Sequence, residues 1–283
     1  MLLFKAFSYY KIDNFQAIAF NYLTCFFIGL TTVKRDILGG DFWQEPWFPF
    51  ALMLGGVFIA SFGLIALTTQ KNGITVATIA GKTTMVIPVI AAFFMYGDAV
   101  TISKTAGIGL AIAAIFLTAV KDKQELAMEG NLTPSTQIKA NETKSYSYLL
   151  LPLGVFLSGG LIETVINYVQ VYYLQADSAN AFSMFIFTTA AVIGFVIIGL
   201  QFLAGRRKFA FRHLLAGICI GIPNYGSIYF LIRALGSTGW ESSVVFPINN
   251  IGVVLVTTLA AYLLFREKLS KINLLGVGSA VAA

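Results

Sequence analysis

Two charged residues, Lys82 and Glu163, fall near the middle of long apolar stretches of this sequence. Lys82 interrupts residues 74–96 and Glu163 interrupts residues 148–174, and both stretches are long enough to cross a bilayer. A charge at that depth costs about 2.5–3.5 kcal/mol to insert, so such residues are rare and usually face a partner or a water-filled cavity. A lysine can attract a carboxylate, and a glutamate can bind an amine or take up a proton. The two residues predict a polar site inside a membrane protein.

Other polar residues in the apolar stretches could join this site. Glu163, Asn167 and Gln170 follow one another at helical spacing, which is unusual in an apolar helix and predicts a polar stripe on one face. Pro223 and Pro247 would each free a backbone carbonyl one turn back, close to further asparagines. The predicted substrate-binding residues are therefore Lys82, Glu163, Asn167, Gln170, Asn21, Asn224, Asn249 and Asn250. For each asparagine taken singly, the alternative is an interhelical hydrogen bond, typically worth about 0.6 kcal/mol.

The composition is that of a membrane protein. The chain is 57% hydrophobic and 11% charged, and its mean hydropathy is +0.79. A soluble domain is closer to one quarter charged. The net charge of +6 does not indicate nucleic-acid binding, because the basic residues lie in the gaps between apolar spans, where membrane orientation explains them.

Catalysis is not expected, and neither is a metal or a cofactor. His213 is the only histidine and lies at the end of a span, so no serine–histidine or cysteine–histidine arrangement can form in the bilayer. Cys25 and Cys219 are isolated residues inside apolar spans, without the spacing of a disulfide framework or a metal site. The sequence has no glycine-rich phosphate-binding loop, so the chain is not expected to use ATP itself.

The apolar spans predict an all-α, polytopic membrane protein. Eight full spans are predicted, at 15–33, 47–67, 74–96, 102–120, 148–174, 181–204, 214–235 and 242–265. Residues 1–10 and 272–283 resemble halves of two further helices, which makes ten helices with the first and the last truncated. The polar segment 121–146 is predicted to be a loop that connects a first repeat, 1–120, to a second repeat, 147–283.

The two halves resemble each other in sequence. At a constant offset of 169 residues, 91–114 aligns without gaps on 260–283, and the acidic Asp98 falls on Glu267. The identical pairs are Ala91/Ala260, Ala92/Ala261, Gly107/Gly276, Gly109/Gly278, Ala111/Ala280, Ala113/Ala282 and Ala114/Ala283. Because five helices per half is an odd number, the second half would enter the membrane from the opposite side, and such inverted pairs commonly hold a binding site between them.

The distribution of lysine and arginine predicts an orientation. Of the 19 basic residues, thirteen lie in odd-numbered connections. Four, Lys34, Arg35, Lys104 and Arg233, lie in even-numbered connections or at the span ends beside them, and Lys5 and Lys82 lie deeper in predicted spans. The positive-inside rule would then place the odd-numbered connections in the cytoplasm and both termini outside.

The ends of the fourth and ninth spans resemble a known family. VIPVIAAFFMYGDAVTISKTAGIGL and VVLVTTLAAYLLFREKLSKINLLGVG are similar to the apolar run, short acidic turn and small-residue helix of the EamA-type repeats of the drug/metabolite transporter superfamily. Asp98 and Arg266–Glu267 depart from the usual turn. The resemblance implies ten helices in two inverted five-helix repeats and transport of small metabolites, often outward, by alternating access. It also implies cytoplasmic termini, opposite to the charge count, and it implies no specific binding residues.

Two functions remain open from the sequence. The first is a secondary active transporter for a small polar metabolite, such as an amino acid or related zwitterion, or for a drug, in the inner (cytoplasmic) membrane of a bacterium. Lys82 would attract a substrate carboxylate, and Glu163 would bind an amine or carry a coupling proton. The second is a non-transporting membrane scaffold or receptor-like protein in which Lys82 and Glu163 form a structural ion pair.

Overall fold

The computed structural model describes most of the predicted spans. The described residues are Phe7, 12–33, 40–72, 74–97, 101–119, 147–175, 178–205, 209–237, 239–265, Leu275 and Gly278. Apart from those single residues, the predicted half-helices 1–10 and 272–283 lie outside the described residues, and so do the connecting loop 121–146 and the aligned pair Asp98 and Glu267. The inverted repeat and the count of ten helices therefore stay predictions.

The regular structure of the described residues is helical throughout. The α-helices are α1 (Asn14–Thr32), α2 (Phe48–Lys71), α3 (Ile74–Thr83), α4 (Val86–Met95), α5 (Ile102–Ala119), α6 (Ser147–Tyr172), α7 (Ser178–Leu203), α8 (Phe211–Ser237) and α9 (Ser242–Phe265). A short 3-10 helix, Phe42–Gln44, precedes α2. The all-α prediction is confirmed for this part of the chain, and each of the eight predicted full spans coincides with a helix or, for 74–96, with a pair of helices.

The helices are those of an integral membrane protein. Six stretches are long and apolar enough to cross a bilayer: Asn14–Thr32, Phe48–Lys71, Val76–Met95, Leu150–Tyr172, Ser178–Leu203 and Phe211–Gly236. One face of α7 presents Val192, Val196 and Leu200, each more than half exposed, at four-residue spacing. A continuous apolar stripe of this kind suits contact with lipid tails.

The predicted span 74–96 is divided at Thr84–Met85 into α3 and α4. The cause is Pro88, which has no N–H to donate to the Thr84 carbonyl and whose ring would clash with that carbonyl in a regular helix. The Ile87 N–H donates to the Thr84 carbonyl instead, at 3.1 Å, and α4 resumes with the Val89 N–H donating to the Met85 carbonyl at 3.1 Å. The predicted span is confirmed as a stretch long enough to cross a bilayer, Val76–Met95, but its helix is divided rather than continuous.

Close helix packing surrounds α1, which contacts α7 and α8 extensively. Gly217 and Gly221 of α8 lie against Phe20 and Thr24 of α1, so closely that a Cβ at Gly221 would lie 2.6 Å from Thr24 Cβ. Small residues allow this approach where no hydrophobic effect drives helices together. The largest fully buried side chains, among them Trp47 and Tyr22, fill the space between α1, α2 and α7.

The helices α1 and α7 run antiparallel, since Gly29 lies against Met184 and Gly194 lies against Ala19. If successive spans alternate in direction throughout, α1, α4, α6 and α8 end on the side of the membrane on which α2, α5, α7 and α9 begin. All three tryptophans of the chain, Trp43, Trp47 and Trp240, lie in connections on this side. We call it the tryptophan side. Its connections between 33 and 47 and between 237 and 241 are poorer in basic residues than those of the opposite side, and by the charge count it would face away from the cytoplasm.

Candidate functional site

The break between α3 and α4 lies beside Lys82, near the middle of the apolar span 74–96. Lys82 lies in the last turn of α3, directly before the break, and its side chain is half-buried. Non-helical backbone at membrane depth is tolerated only where protein or a water-filled cavity surrounds it. Discontinuous helices of this kind recur at the binding sites of transporters.

Glu163 of α6 lies across from this break. The Thr84 hydroxyl can donate a hydrogen bond to Glu163 Oε1, at 3.3 Å, or to the Gly81 carbonyl, at 3.1 Å. The approach is close because α6 carries Gly159 and Gly160 here: a Cβ at Gly159 would lie 2.5 Å from Thr84 Cγ2, and one at Gly160 would overlap Ile87. The second carboxylate oxygen, Oε2, is buried and has no hydrogen-bond partner.

Lys82 and Glu163 face each other without direct contact. Their opposite charges lie near enough to attract, yet no ammonium–carboxylate distance of 4.0 Å or less joins them among the described residues. A pair that served only to lock two helices would be expected to close to hydrogen-bonding distance, since desolvation is otherwise not repaid. The arrangement leaves both charges available to a ligand.

Asn250 completes this group from α9. Its side chain is buried, donates to the Phe246 carbonyl at 3.1 Å, and interacts with the Glu163 carboxylate. We call Lys82, Thr84, Glu163 and Asn250 the helix-break cluster. Asn249 points elsewhere, into a shallow groove that it lines with Ile248, Gly252, Val253 and Val256, so the structure does not bring it to the cluster.

Asn167 and Gln170 continue from Glu163 along α6 toward the tryptophan side. Asn167 is 1% exposed, and its Oδ1 accepts a hydrogen bond of 2.8 Å from the Ser242 hydroxyl at the start of α9. Gln170 lies against Gly236 of α8, where a Cβ would be 2.7 Å from Gln170 Nε2. Asn167 Nδ2 and Gln170 Oε1 are both buried without a hydrogen-bond partner.

Asn21 and Asn224 form a separate group between α1 and α8. Asn224 Nδ2 donates to Asn21 Oδ1 at 3.1 Å and lies 3.8 Å from Cys25 Sγ. The Cys25 thiol donates a hydrogen bond to the Gly221 carbonyl, at 3.3 Å. These three residues, which we call the amide cluster, join the two helices directly. The structure therefore places two of the predicted residues in an interhelical contact rather than with Lys82 and Glu163.

Thr84 and Ser242 belong to the site but were not predicted. Thr84 stands four residues before Pro88, and that spacing identifies the carbonyl that the proline leaves without its usual donor. Ser242 gives no comparable signal, because it meets Asn167 only through the packing of α9 on α6. The described residues contain no group of three or more histidine, cysteine, aspartate or glutamate side chains that could hold a metal ion.

Comparison with known proteins gives three likenesses. Residues 22–125 match the model of a family of membrane proteins described as PUCC protein. A protein of Haemophilus influenzae, described as uncharacterized, is 29% identical over 269 residues, which are 93% of this chain and 84% of that protein. A protein of known crystal structure has a TM-score of 0.68 and 12% identity, covering 99% of this chain and 91% of the other.

The family match, together with the apolar helices, supports an integral membrane protein, and the likeness in fold to the solved structure covers nearly the whole chain. The match to the solved structure concerns the fold alone, because the identity is only 12%. The matched family model differs from the EamA-type repeat that the motifs of the fourth and ninth spans resemble, so that resemblance stays a prediction.

Proposed function

We propose that the protein is a secondary active transporter that moves a small polar metabolite, such as an amino acid or a similar zwitterion, or a drug, across the membrane by alternating access. Efflux is the direction that the resemblance to EamA-type transporters favours. The observation that carries the proposal is the helix-break cluster: a half-buried lysine and a half-buried glutamate face each other at a helix break without direct contact.

The two charges would divide the recognition of a zwitterion. Lys82 would attract the carboxylate, and Glu163, through its unpartnered Oε2, would accept the amine. Hydrogen bonds that involve a charged group are worth about 1.5–3 kcal/mol each, enough for a factor of about 10 to 100 in affinity. Glu163 is also the candidate carrier of a coupling proton, since it could alternate between an amine and a proton during each cycle.

The predicted pair of inverted repeats would allow the helix-break cluster to open alternately to the two sides of the membrane. Lys82 belongs to the predicted first repeat, 1–120, and Glu163 to the predicted second repeat, 147–283. A movement of one five-helix repeat against the other would therefore open and close the space between the two charges, as in other inverted-repeat transporters. We place the protein in the inner (cytoplasmic) membrane of a bacterium, in line with its helical spans.

Transport by purified protein in proteoliposomes tests the proposal. A panel of amino acids, other zwitterions and cationic drugs would be offered to the wild type, Lys82→Ala, Glu163→Gln and Glu163→Asp. Lys71→Ala is the matched control, because Lys71 lies exposed in the last turn of α2. We expect uptake of at least one compound by the wild type, loss of that uptake by a factor of 10 or more in Lys82→Ala and Glu163→Gln, and a smaller loss in Glu163→Asp.

A folded Lys82→Ala protein that transports at the wild-type rate would remove Lys82 from the substrate site. Failure of the wild type to move any compound of the panel, with a correctly inserted protein, would contradict the transporter proposal itself. A larger loss in Glu163→Asp than in Glu163→Gln would assign Glu163 a role that depends on its length rather than on its charge, because glutamine keeps the length and aspartate keeps the charge.

A further inference from the structure

Three polar side chains of α6 each keep one buried atom without a hydrogen-bond partner. The atoms are Glu163 Oε2, Asn167 Nδ2 and Gln170 Oε1. A buried polar atom without a partner is unfavourable in a protein interior and therefore uncommon. Three on one helix face, four and three residues apart, mark a continuous polar surface that starts at the helix-break cluster.

The unpartnered atoms alternate in hydrogen-bonding character. Glu163 Oε2 is an acceptor, Asn167 Nδ2 is a donor and Gln170 Oε1 is an acceptor. The hydrogen bond from Ser242 to Asn167 Oδ1 fixes which end of the Asn167 amide is free. At a rise of about 1.5 Å per residue, Asn167 lies about 6 Å beyond Glu163 along α6, and Gln170 lies a further 4.5 Å or so beyond Asn167.

This order of groups complements one kind of ligand. An amine that binds Glu163 requires an acceptor, a carbonyl oxygen requires the Asn167 donor, and an N–H requires the Gln170 acceptor. A terminal carboxamide has both a carbonyl oxygen and an N–H. In glutamine, three carbon–carbon bonds and one carbon–nitrogen bond, each about 1.5 Å long, separate the carboxamide carbon from the amine nitrogen. That length fits the separation between Glu163 and Asn167.

The surroundings favour a neutral group at this end of the surface. The Ser242 hydroxyl contacts Asn167 and the backbone at Gly236 lies against Gln170, and both of these groups are uncharged. The charged group that acts on Glu163 is Lys82 of α3, and Thr84 and Asn250 supply the other polar contacts. The helix-break cluster would thus bind the charged groups of a ligand, and Asn167 and Gln170, further along α6, would bind its neutral polar group through hydrogen bonds.

We propose that Asn167 and Gln170 form a second subsite that binds the side-chain carboxamide of a transported amino acid, so that the substrate class is that of glutamine and its close analogues. The proposal rests on the proposed function, because it takes Lys82 and Glu163 as the sites of the carboxylate and the amine. A site built to hydrogen-bond a polar group rejects an analogue of equal size that lacks it, since its own buried groups are then left unpaired.

Binding of three ligands of similar length tests the subsite. Dissociation constants of L-glutamine, L-methionine and L-glutamate would be measured with the purified wild type, Asn167→Leu and Gln170→Glu, and those of L-lysine with the wild type and Gln170→Glu. We expect the wild type to bind glutamine at least tenfold more tightly than either analogue. Asn167→Leu should lose this preference, chiefly by weaker binding of glutamine. Gln170→Glu should gain affinity for L-lysine, whose cationic end would meet the new carboxylate.

Two control variants separate recognition from packing. Ser242→Ala removes the hydrogen bond to Asn167 Oδ1 but keeps the Asn167 donor, so its preference for glutamine should fall less than that of Asn167→Leu. Ser158→Ala changes another polar residue of α6, one that donates to Ser61 at 3.0 Å on α2, and should leave the preference unchanged. If Asn167→Leu does not fold, the ratio in the wild type and the gain in Gln170→Glu decide the question.

Equal affinities of the wild type for glutamine and methionine would overturn the subsite and leave the proposed function standing. Unchanged ligand preference in Asn167→Leu would overturn it as well, and would assign the polar surface to internal water. If the wild type binds none of these ligands but transports another compound of the panel, the proposed carboxamide subsite is wrong and the proposed transport function stands. If the wild type also transports no compound of the panel, both the subsite and the proposed function are wrong.

Discussion

The helix-break cluster and the amide cluster are both buried polar groups within the apolar spans, and each keeps one buried atom without a hydrogen-bond partner, Glu163 Oε2 and Asn21 Nδ2, but they differ in charge. In the amide cluster, neutral side chains of α1 and α8 bind one another, with Asn224 donating to Asn21 at 3.1 Å. In the helix-break cluster, the two charged groups lie within attraction of each other but out of direct contact, and Glu163 Oε2 has no hydrogen-bond partner.

The difference separates a contact that holds helices together from one that is open to a ligand. A neutral amide pair costs little to bury and gains a modest amount, about 0.6 kcal/mol, from its interhelical hydrogen bond. A lysine and a glutamate cost several times more to bury, and direct contact is the ordinary way to recover part of that cost. A separation between the Lys82 and Glu163 charges is better explained by a ligand that contacts both side chains.

The largest effect should come from neutralising both charges. In Lys82→Met with Glu163→Gln, we expect transport to fall by a factor of 100 or more, while the free energy of unfolding stays within about 1 kcal/mol of the wild type or rises, because two costly burials are removed. Transport in proteoliposomes and unfolding in detergent measure the two quantities. A loss of 3–5 kcal/mol in stability would mark the pair as structural.

Closer packing at the break should have the next largest effect. A Cβ in Gly160→Ala would overlap Ile87 across the interface between α6 and α4, and overpacking of this kind costs about 1–3 kcal/mol. Gly63→Ala in α2 is the control, because no atom lies within 4 Å of its added Cβ. Thermal unfolding should therefore separate the two variants. Equal melting temperatures would show that the interface at Gly160 is looser than the structure indicates.

Restoring a regular helix should reduce transport more than stability. Pro88→Ala supplies an N–H at position 88 that can donate to the Thr84 carbonyl as in a regular helix, and so favours a continuous helix through Thr84 and Met85. We expect transport to fall several-fold, with a melting temperature equal to or above that of the wild type. Wild-type transport by this variant would show that the break between α3 and α4 is not needed for the cycle.

The amide cluster should give the smallest effect. In a double-mutant cycle with Asn21→Leu and Asn224→Leu, we expect a coupling of about 0.6 kcal/mol in the free energy of unfolding, and transport within a factor of two of the wild type. A ten-fold loss of transport in Asn224→Leu alone would erase the distinction between the two clusters and bring Asn224 back into the substrate site.

Much of the helical fold follows from the sequence, because a run of about 20 apolar residues has few alternatives to a membrane helix. That Lys82 and Glu163 could meet was also predicted, from their places in the two halves of the predicted inverted repeat. The break at Thr84–Met85 was not, although Pro88 is visible, because membrane helices often tolerate proline without dividing.

Which asparagine belongs to which cluster depends on tertiary packing and was therefore harder to predict. Asn249 and Asn250 are neighbours in sequence, and only the orientation of α9 sends Asn250 toward Glu163 and Asn249 into the outer groove. Asn21 and Asn224 are 203 residues apart, and each alone fits a ligand contact as well as a hydrogen bond to another helix. Their pairing depends on how α1 lies on α8, which local sequence does not encode.

Exchange of the two charges tests most directly whether the helix-break cluster binds a ligand. In Lys82→Glu with Glu163→Lys, both charges and their mutual attraction are kept, but each lies on the wrong helix for an oriented substrate. We predict a melting temperature close to that of the wild type together with loss of transport by a factor of 10 or more. Wild-type transport by the exchanged protein would contradict the account and identify Lys82 and Glu163 as a structural pair.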